Sequence, residues 1–259
     1  MSRDLWNPQT YHQFREERAR PFHELISRIR LDNPNHVVDV GCGTGESTAQ
    51  LAERWPDAVV RGFDSSEAMI AKARELHTSA EFEVLDLRLW RADRPVDVLV
   101  SNAVLHWVPE HPELLPAWVE SLAPEGVLAF QVPGNFHEPS HTLIRGLCRT
   151  AWRHRLGDLA REDAPVLSPG GYLAVLADLG CEVDAWETTY VHVLRGEDAV
   201  VRWLSGTTLR PMLGRLEGEE RTRFLADCAR VLGEAYPARP YGTPFRFRRV
   251  FVVARRTSL

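Results

Sequence analysis

Residues 36–64, HVVDVGCGTGESTAQLAERWPDAVVRGFD, read as a strand, a glycine loop, a helix, a second strand and a closing acid. Val37, Val38 and Val40 make a short β-branched run that stops at Gly41, Gly43 and Gly45. Glycines in such a place let the backbone turn tightly and let a ligand press against it. Ser47, Thr48, Leu51 and Ala52 carry the chain into a helix. Its first N–H groups have no intrahelical acceptor and face the same ligand. Asp64 closes the second strand, where a carboxylate can accept both hydroxyls of a ribose. This is the layout of the nucleoside-binding half of a parallel α/β sheet.

The glycine spacing separates two kinds of nucleoside site. A dinucleotide loop runs G-x-G-x-x-G, so that a pyrophosphate fits over the helix start. Here the loop is G-x-G-x-G followed by Glu46, an acid that would repel a pyrophosphate. Asp39 adds a second carboxylate just before the loop, suited to an ammonium or sulfonium group. The pattern resembles motif I of the class I S-adenosylmethionine-dependent methyltransferases. That resemblance implies a Rossmann-like α/β fold with a mostly parallel seven-stranded sheet, helices on both faces and an antiparallel last strand. It also implies S-adenosylmethionine as cofactor, held by Asp39, Gly41, Cys42, Gly43, Gly45, Asp64, Ser65, Met69, Asp86, Leu87, Asn102, Ala103 and Trp107.

Composition limits the alternatives. A chain of 259 residues is long enough for one large α/β domain with an elaboration, and 44% hydrophobic with 26% charged residues suits a packed core. The polar start MSRDLWNPQ and the lack of any long apolar run argue against secretion and membrane spanning. Cys42, Cys148, Cys181 and Cys228 are far apart with no C-x-x-C, which predicts neither a metal site nor a disulfide framework and fits a cytoplasmic setting. A net charge of −5 argues against nucleic-acid binding. Lys72 is the only lysine, and residues 237–259 hold Arg239, Arg246, Arg248, Arg249, Arg255 and Arg256 without an acid. Part of that cluster suits an anionic small molecule; a solvated face is the alternative. No obligate protein partner is implied.

Along the chain, Asn7 and Pro8 signal a helix start, and apolar residues from Tyr11 to Ile29 recur at helical spacing with Pro21 splitting the run into two. Residues 1–30 form an N-terminal helical cover on this reading. Strands are expected near 36–40, 58–63, 80–85, 96–101 and 126–132, alternating with helices at 46–55, 66–76 and 111–122. That alternation predicts a parallel sheet covered on both faces, with a cofactor-binding core over 36–135. Further helices are expected at 138–155 and 169–179, a sixth strand at 182–194, helices at 197–215 and 218–235, and a last strand at 245–254. The segment 196–240 is thus a helical cap inserted between the last two strands, within a single domain of 1–259.

More of the chain carries a narrower resemblance. WNPQTYHQFREERARPFHELISR, GFDSSEAMI, SNAVLHWVPEH, QVPGNFHEPSH, GCEVDAWETTYVH and FRFRRVFVVARR together resemble the trans-aconitate methyltransferase family, from Trp6 to Arg255. Thr44 departs from the GCGPG loop more usual there. The resemblance implies methyl transfer to a carboxylate of trans-aconitate or a similar acid. Such an acid is already ionised at pH 7, so no catalytic base is required. His106 has three readings: general base, hydrogen-bond partner of substrate, or packed loop residue. A tricarboxylate calls for guanidinium groups, which pair with carboxylates in two places. The candidates are Arg15, Arg18, Arg210, Arg246 and Arg248, with Asn135, His141, Tyr190 and His192 as neutral partners. Tyr11 and Arg20 belong either with these or over the methionine carboxylate of the cofactor. Three other functions stay open: a different acceptor that uses His106 as base, a nicotinamide oxidoreductase, and a cofactor sensor without catalysis.

Overall fold

A computed structural model of the protein describes residues 15–160 and 166–257. Seven strands, β1 (His36–Val40), β2 (Val59–Asp64), β3 (Glu81–Val84), β4 (Val96–Asn102), β5 (Leu122–Pro133), β6 (Cys181–Leu194) and β7 (Thr243–Arg256), form one sheet in the order β3-β2-β1-β4-β5-β7-β6. β1 pairs in parallel with β2, in a register that sets Val38 beside Arg61, and with β4, which sets Val37 beside Val98. β7 runs antiparallel to β5, with Phe130 beside Val252. The order reverses between β1 and β4. In open α/β sheets the carboxyl ends of two such strands part to leave a ligand crevice.

The helices are α1 (Arg15–Ser27), α2 (Glu46–Arg54), α3 (Glu67–Ala73), α4 (Leu115–Ser121), α5 (Pro139–Arg149), α6 (Arg153–Leu156), α7 (Pro169–Asp178), α8 (Ala199–Ser205), α9 (Arg210–Leu213) and α10 (Gly218–Ala235). Local chemistry explains several of their starts. Ser66 caps α3 by accepting from Met69 N at 3.3 Å, and Ser168 caps α7 by accepting from Gly171 N at 3.2 Å, with Pro169 following. Several expected helices are shorter than the pattern suggested, the 66–76 run among them. The 197–215 run divides into α8 and α9, the 138–155 run into α5 and α6, and residues 111–114 form a 3₁₀ turn ahead of α4. Conversely, Pro21 does not split α1, which continues through it; the ring removes one N–H but fits helical φ.

The chain gathers into two compact units. Among the described residues the sheet unit is 20–133, 166–188 and 249–257; the helical unit is 15–19, 134–160 and 189–248. The helical unit therefore takes in more than the 196–240 insertion, adding α5 and α6 and the adjoining parts of β6 and β7. In the sheet unit Val38, Val40, Phe63, Leu99, Leu128 and Phe130 are buried, Trp90 stacks on Phe63 at 5.8 Å, and Trp118 meets Trp90 edge-on at 6.5 Å. The buried His111 ring is satisfied at both nitrogens, by the Tyr172 hydroxyl at 2.7 Å and the Val108 carbonyl at 2.8 Å. In the helical unit α10 buries Phe224, Cys228 and Leu232, one turn apart, within a core that includes Ile144 and Trp152 of the α5–α6 segment. Trp203 completes that core, with Phe247 5.5 Å and Phe245 5.9 Å from its ring.

Candidate active site

The loop after β1 belongs wholly to the sheet unit. Gly41, Gly43 and Gly45 have φ of 72°, 56° and 83°. At Gly41 a side chain fails twice over, because the backbone is left-handed and a Cβ would stand 2.5 Å from Val104. Gly43 differs: a Cβ there would meet nothing within 4 Å, so its backbone borders open space. The loop is anchored by Gly41 N and Cys42 N, which both donate to the Phe63 carbonyl at 2.8 and 3.0 Å.

Asp64 stands beyond Phe63 with its carboxylate fixed by backbone donors. Gly43 N gives to Oδ2 at 3.1 Å and Ser66 N to Oδ1 at 2.9 Å. Each oxygen keeps a second lone-pair direction for a ligand hydroxyl. Asp39 is fully buried and accepts from the Thr48 hydroxyl at 2.7 Å. Burial pushes its carboxyl up to about 6; the Thr48 bond opposes this and the nearby Asp64 charge reinforces it. Cys42 is buried beside both acids and its thiol is pushed strongly upward, so it is no nucleophile at neutral pH. Ser65 is exposed and Met69 half-buried on the segment that follows.

At the later strand ends, the expected contacts are occupied to different degrees. Asp86 is gripped by Arg88, whose Nη2 lies 2.6 Å from Oδ2; that hydrogen bond holds its carboxyl below the usual range. Leu87 beside it is buried. Asn102 ends β4, and its Oδ1 accepts from Gln131 Nε2. Ala103 then turns the chain with φ of 58°, its N–H donating to the Gln131 carbonyl at 2.9 Å. The His106 and Trp107 rings lie 4.8 Å apart on a 3₁₀ turn, with Trp107 47% exposed. Arg20 is exposed on α1. A cavity of about 530 Å³ lined by His36, Arg61, Glu81, Trp90 and Asp93 includes none of the loop glycines, Asp39 or Asp64.

Most of the expected substrate residues belong to the helical unit, and several have partners of their own. Asn135 is buried and clips β7, giving Nδ2 to the Arg248 carbonyl at 3.0 Å and taking Arg248 N at 2.8 Å. The His141 ring lies between the Ser140 and Thr208 hydroxyls at 3.0 Å each, and burial pushes its pKa down to about 4. Tyr190 and His192 stack at 6.1 Å, and His192 stacks in turn on Trp203 at 4.9 Å, which places both in the aromatic core. Arg210 is half-buried at the start of α9, and Arg246 is exposed on β7. Arg248 gives Nε to the Gly134 carbonyl at 2.7 Å. Tyr11 lies outside the described residues, and Arg15 and Arg18 are located only by the backbone of α1.

The C-terminal arginine cluster disperses. Arg255 pairs with Glu125 and Glu182, and Arg256 donates to the Glu120 and Leu122 carbonyls. Arg249 turns inward, 6% exposed, with Nη1 3.2 Å from Gln131 Oε1. Sequence reasoning did not single it out, although it lies in phase with the buried Phe245 and Phe247 along β7, and that two-residue period marks the inner face.

A sheet that reverses order at β1 and β4, a left-handed glycine loop and a backbone-held acid at the end of β2 define a class I methyltransferase fold. The methyltransferase domain family profile matches residues 11–215. The plantazolicin methyltransferase BpumL, solved with S-adenosylhomocysteine, superposes with a TM-score of 0.52 at 13% identity, covering 97% of this chain and 86% of that one. Closer in sequence are two proteins named trans-aconitate 2-methyltransferase. The one from Streptomyces coelicolor is 49% identical over 97% of this chain and 86% of its own length, and the one from Mycobacterium sp. strain KMS is 49% identical over 97% and 99%. The chain belongs to this methyltransferase family.

Proposed function

We propose that the protein transfers a methyl group from S-adenosylmethionine to a carboxylate oxygen of trans-aconitate, giving a monomethyl ester and S-adenosylhomocysteine. The observation that carries this reading is the 49% identity, over nearly the whole chain, to relatives that bear that activity in their name. The residues present fit the cofactor. Asp64 retains an accepting direction on each oxygen for a ribose diol, and Gly43 leaves room against the backbone. Asp39 and Glu46 at the start of α2 oppose a pyrophosphate but not a cation, which speaks against a nicotinamide dinucleotide.

Bound there, S-adenosylmethionine would supply a methyl group carried on a cationic sulfur, with a neutral thioether as the leaving group. The chain's own contribution is binding, alignment and exclusion of water. Holding reactants in line is worth up to about 7–11 kcal/mol. The acceptor carboxylate is ionised at pH 7, so His106 serves as a pocket wall and hydrogen-bond partner and removes no proton. In this reading guanidinium groups among the candidates named above supply the positive charge for the acid. No helix among the described residues is long and apolar enough to cross a membrane, and the four cysteines are buried thiols; a cytoplasmic setting is part of this reading.

Purified protein incubated with methyl-labelled S-adenosylmethionine and a panel of di- and tricarboxylic acids tests the reading. Label is expected on trans-aconitate and released by mild base, as an ester requires. Transfer to none of the acids, or label stable to base, overturns it. In calorimetry, Asp64→Ala is expected to weaken S-adenosylhomocysteine binding about 100-fold, since two hydrogen bonds to a charged acceptor are lost.

A further inference from the structure

Three side chains form a directional relay across the carboxyl end of the sheet. Arg249 on β7 gives Nη1 to Gln131 Oε1 at 3.2 Å, and Gln131 on β5 gives Nε2 to Asn102 Oδ1 at the end of β4. A guanidinium has donors only, whereas each amide has one donating and one accepting end. Arg249 therefore fixes which end of Gln131 faces it, and Gln131 in turn fixes Asn102. Were Gln131 reversed, its NH₂ would confront a group that cannot accept. Burial follows the same line: Arg249 and Gln131 are 6% and 1% exposed, while Asn102 is only half-buried. Asn102 also lies at the β1–β4 reversal, two residues before Val104, the side chain that crowds Gly41.

We propose that Arg249 and Gln131 are positioning residues that polarise Asn102, so that its NH₂ is presented to a ligand carboxylate in the crevice at the β1–β4 reversal. This rests on the methyltransferase reading, which offers two carboxylates: the amino-acid end of the cofactor and the acceptor acid. An amide in the opposite orientation would set its carbonyl oxygen against the same anion.

The deciding variant is Gln131→Glu. A glutamate accepts from Arg249 but cannot donate to Asn102, so Asn102 must turn its NH₂ inward and present Oδ1. The measurements are dissociation constants for S-adenosylhomocysteine and its decarboxylated analogue, the KM for trans-aconitate, and the melting temperature. The relay requires a loss of about 10- to 100-fold for one carboxylate ligand, with the decarboxylated analogue bound as by wild type and the melting temperature held. Loss confined to S-adenosylhomocysteine assigns the cofactor carboxylate; loss confined to KM, with kcat within about threefold, assigns the acid. Arg249→Lys, which keeps a donor-only head, is expected to retain more of the affinity than Arg249→Met. Wild-type constants in Gln131→Glu, or equal weakening of all three ligands with a lowered melting temperature, overturn the relay. Wild-type protein that binds none of the ligands instead overturns the functional reading, and the relay with it.

Discussion

The sheet unit and the helical unit hold their polar groups by different means. In the sheet unit the candidate site is built largely on backbone: Asp64 takes two main-chain N–H groups, and the glycine loop hangs from one carbonyl. In the helical unit two of the corresponding residues lean on other side chains, His141 between two hydroxyls and His192 on Trp203, while Asn135 and Arg248 bond to main chain. Backbone support does not depend on which side chain the donor residue carries, so it survives many changes of neighbour. Side-chain support depends on packing, so it is lost when a core residue is removed.

That contrast can be broken most sharply at Trp203, which is 1% exposed. Trp203→Ala is expected to cost about 3–5 kcal/mol. Hydrogen exchange read by mass spectrometry should show α5 and α10 losing protection while β1, β2 and β4 keep theirs. Equal loss in both units would mean that their cores are not independent.

Acidity provides the next test, because the two units carry buried groups shifted in opposite directions. Asp39 is raised from 3.8 to about 6, so its folded form holds the proton longer; its contribution is complete below about 3.8 and lost as pH rises through about 6. His141 is lowered from 6.5 to about 4, so the unfolded chain binds the proton first; its contribution is complete above about 6.5 and lost as pH falls through about 4. At about 1.4 kcal/mol per pH unit each is worth about 3 kcal/mol. Between pH 4 and 6.5 the sheet unit should therefore gain stability on acidification while the helical unit loses it. Asp39→Asn and His141→Gln should each flatten one slope only, measured as exchange protection corrected for intrinsic rates.

The smallest effect is expected at His106. If the acceptor is a carboxylate, His106→Ala lowers kcat by less than about tenfold, and the pH–rate profile keeps its shape. A fall beyond about 100-fold with cofactor affinity intact would point to an acceptor that needs a base.

The same contrast governs what could be read from the chain. Gly41, Gly43, Asp39 and Asp64 were legible because a strand, a turn and an acid at its end are fixed by neighbours in sequence. The seven strands followed from β-branched runs between turn signals. Asn135, Tyr190 and His192 read as neutral partners of the acid because polar and aromatic residues near strand ends look alike before packing is known; what packing adds is that Asn135 clips a strand and the other two line an aromatic core. Arg249 escaped notice among six arginines, since only its phase relative to Phe245 and Phe247 distinguishes it. The division of 197–215 into α8 and α9 follows the turn beginning at Gly206, a weak signal in an otherwise helical pattern.

The position of β7 has a consequence for biosynthesis. It follows β6 in chain order, yet it lies beside β5, which is finished far earlier. While the intervening hundred or so residues are being translated, the nascent chain carries an open hydrogen-bonding edge along residues 127–133, the kind of edge that invites pairing with a stranger. This sheet is therefore closed by the insertion of one strand between β5 and β6, and the chain made up to β6 is the form most exposed to wrong pairing.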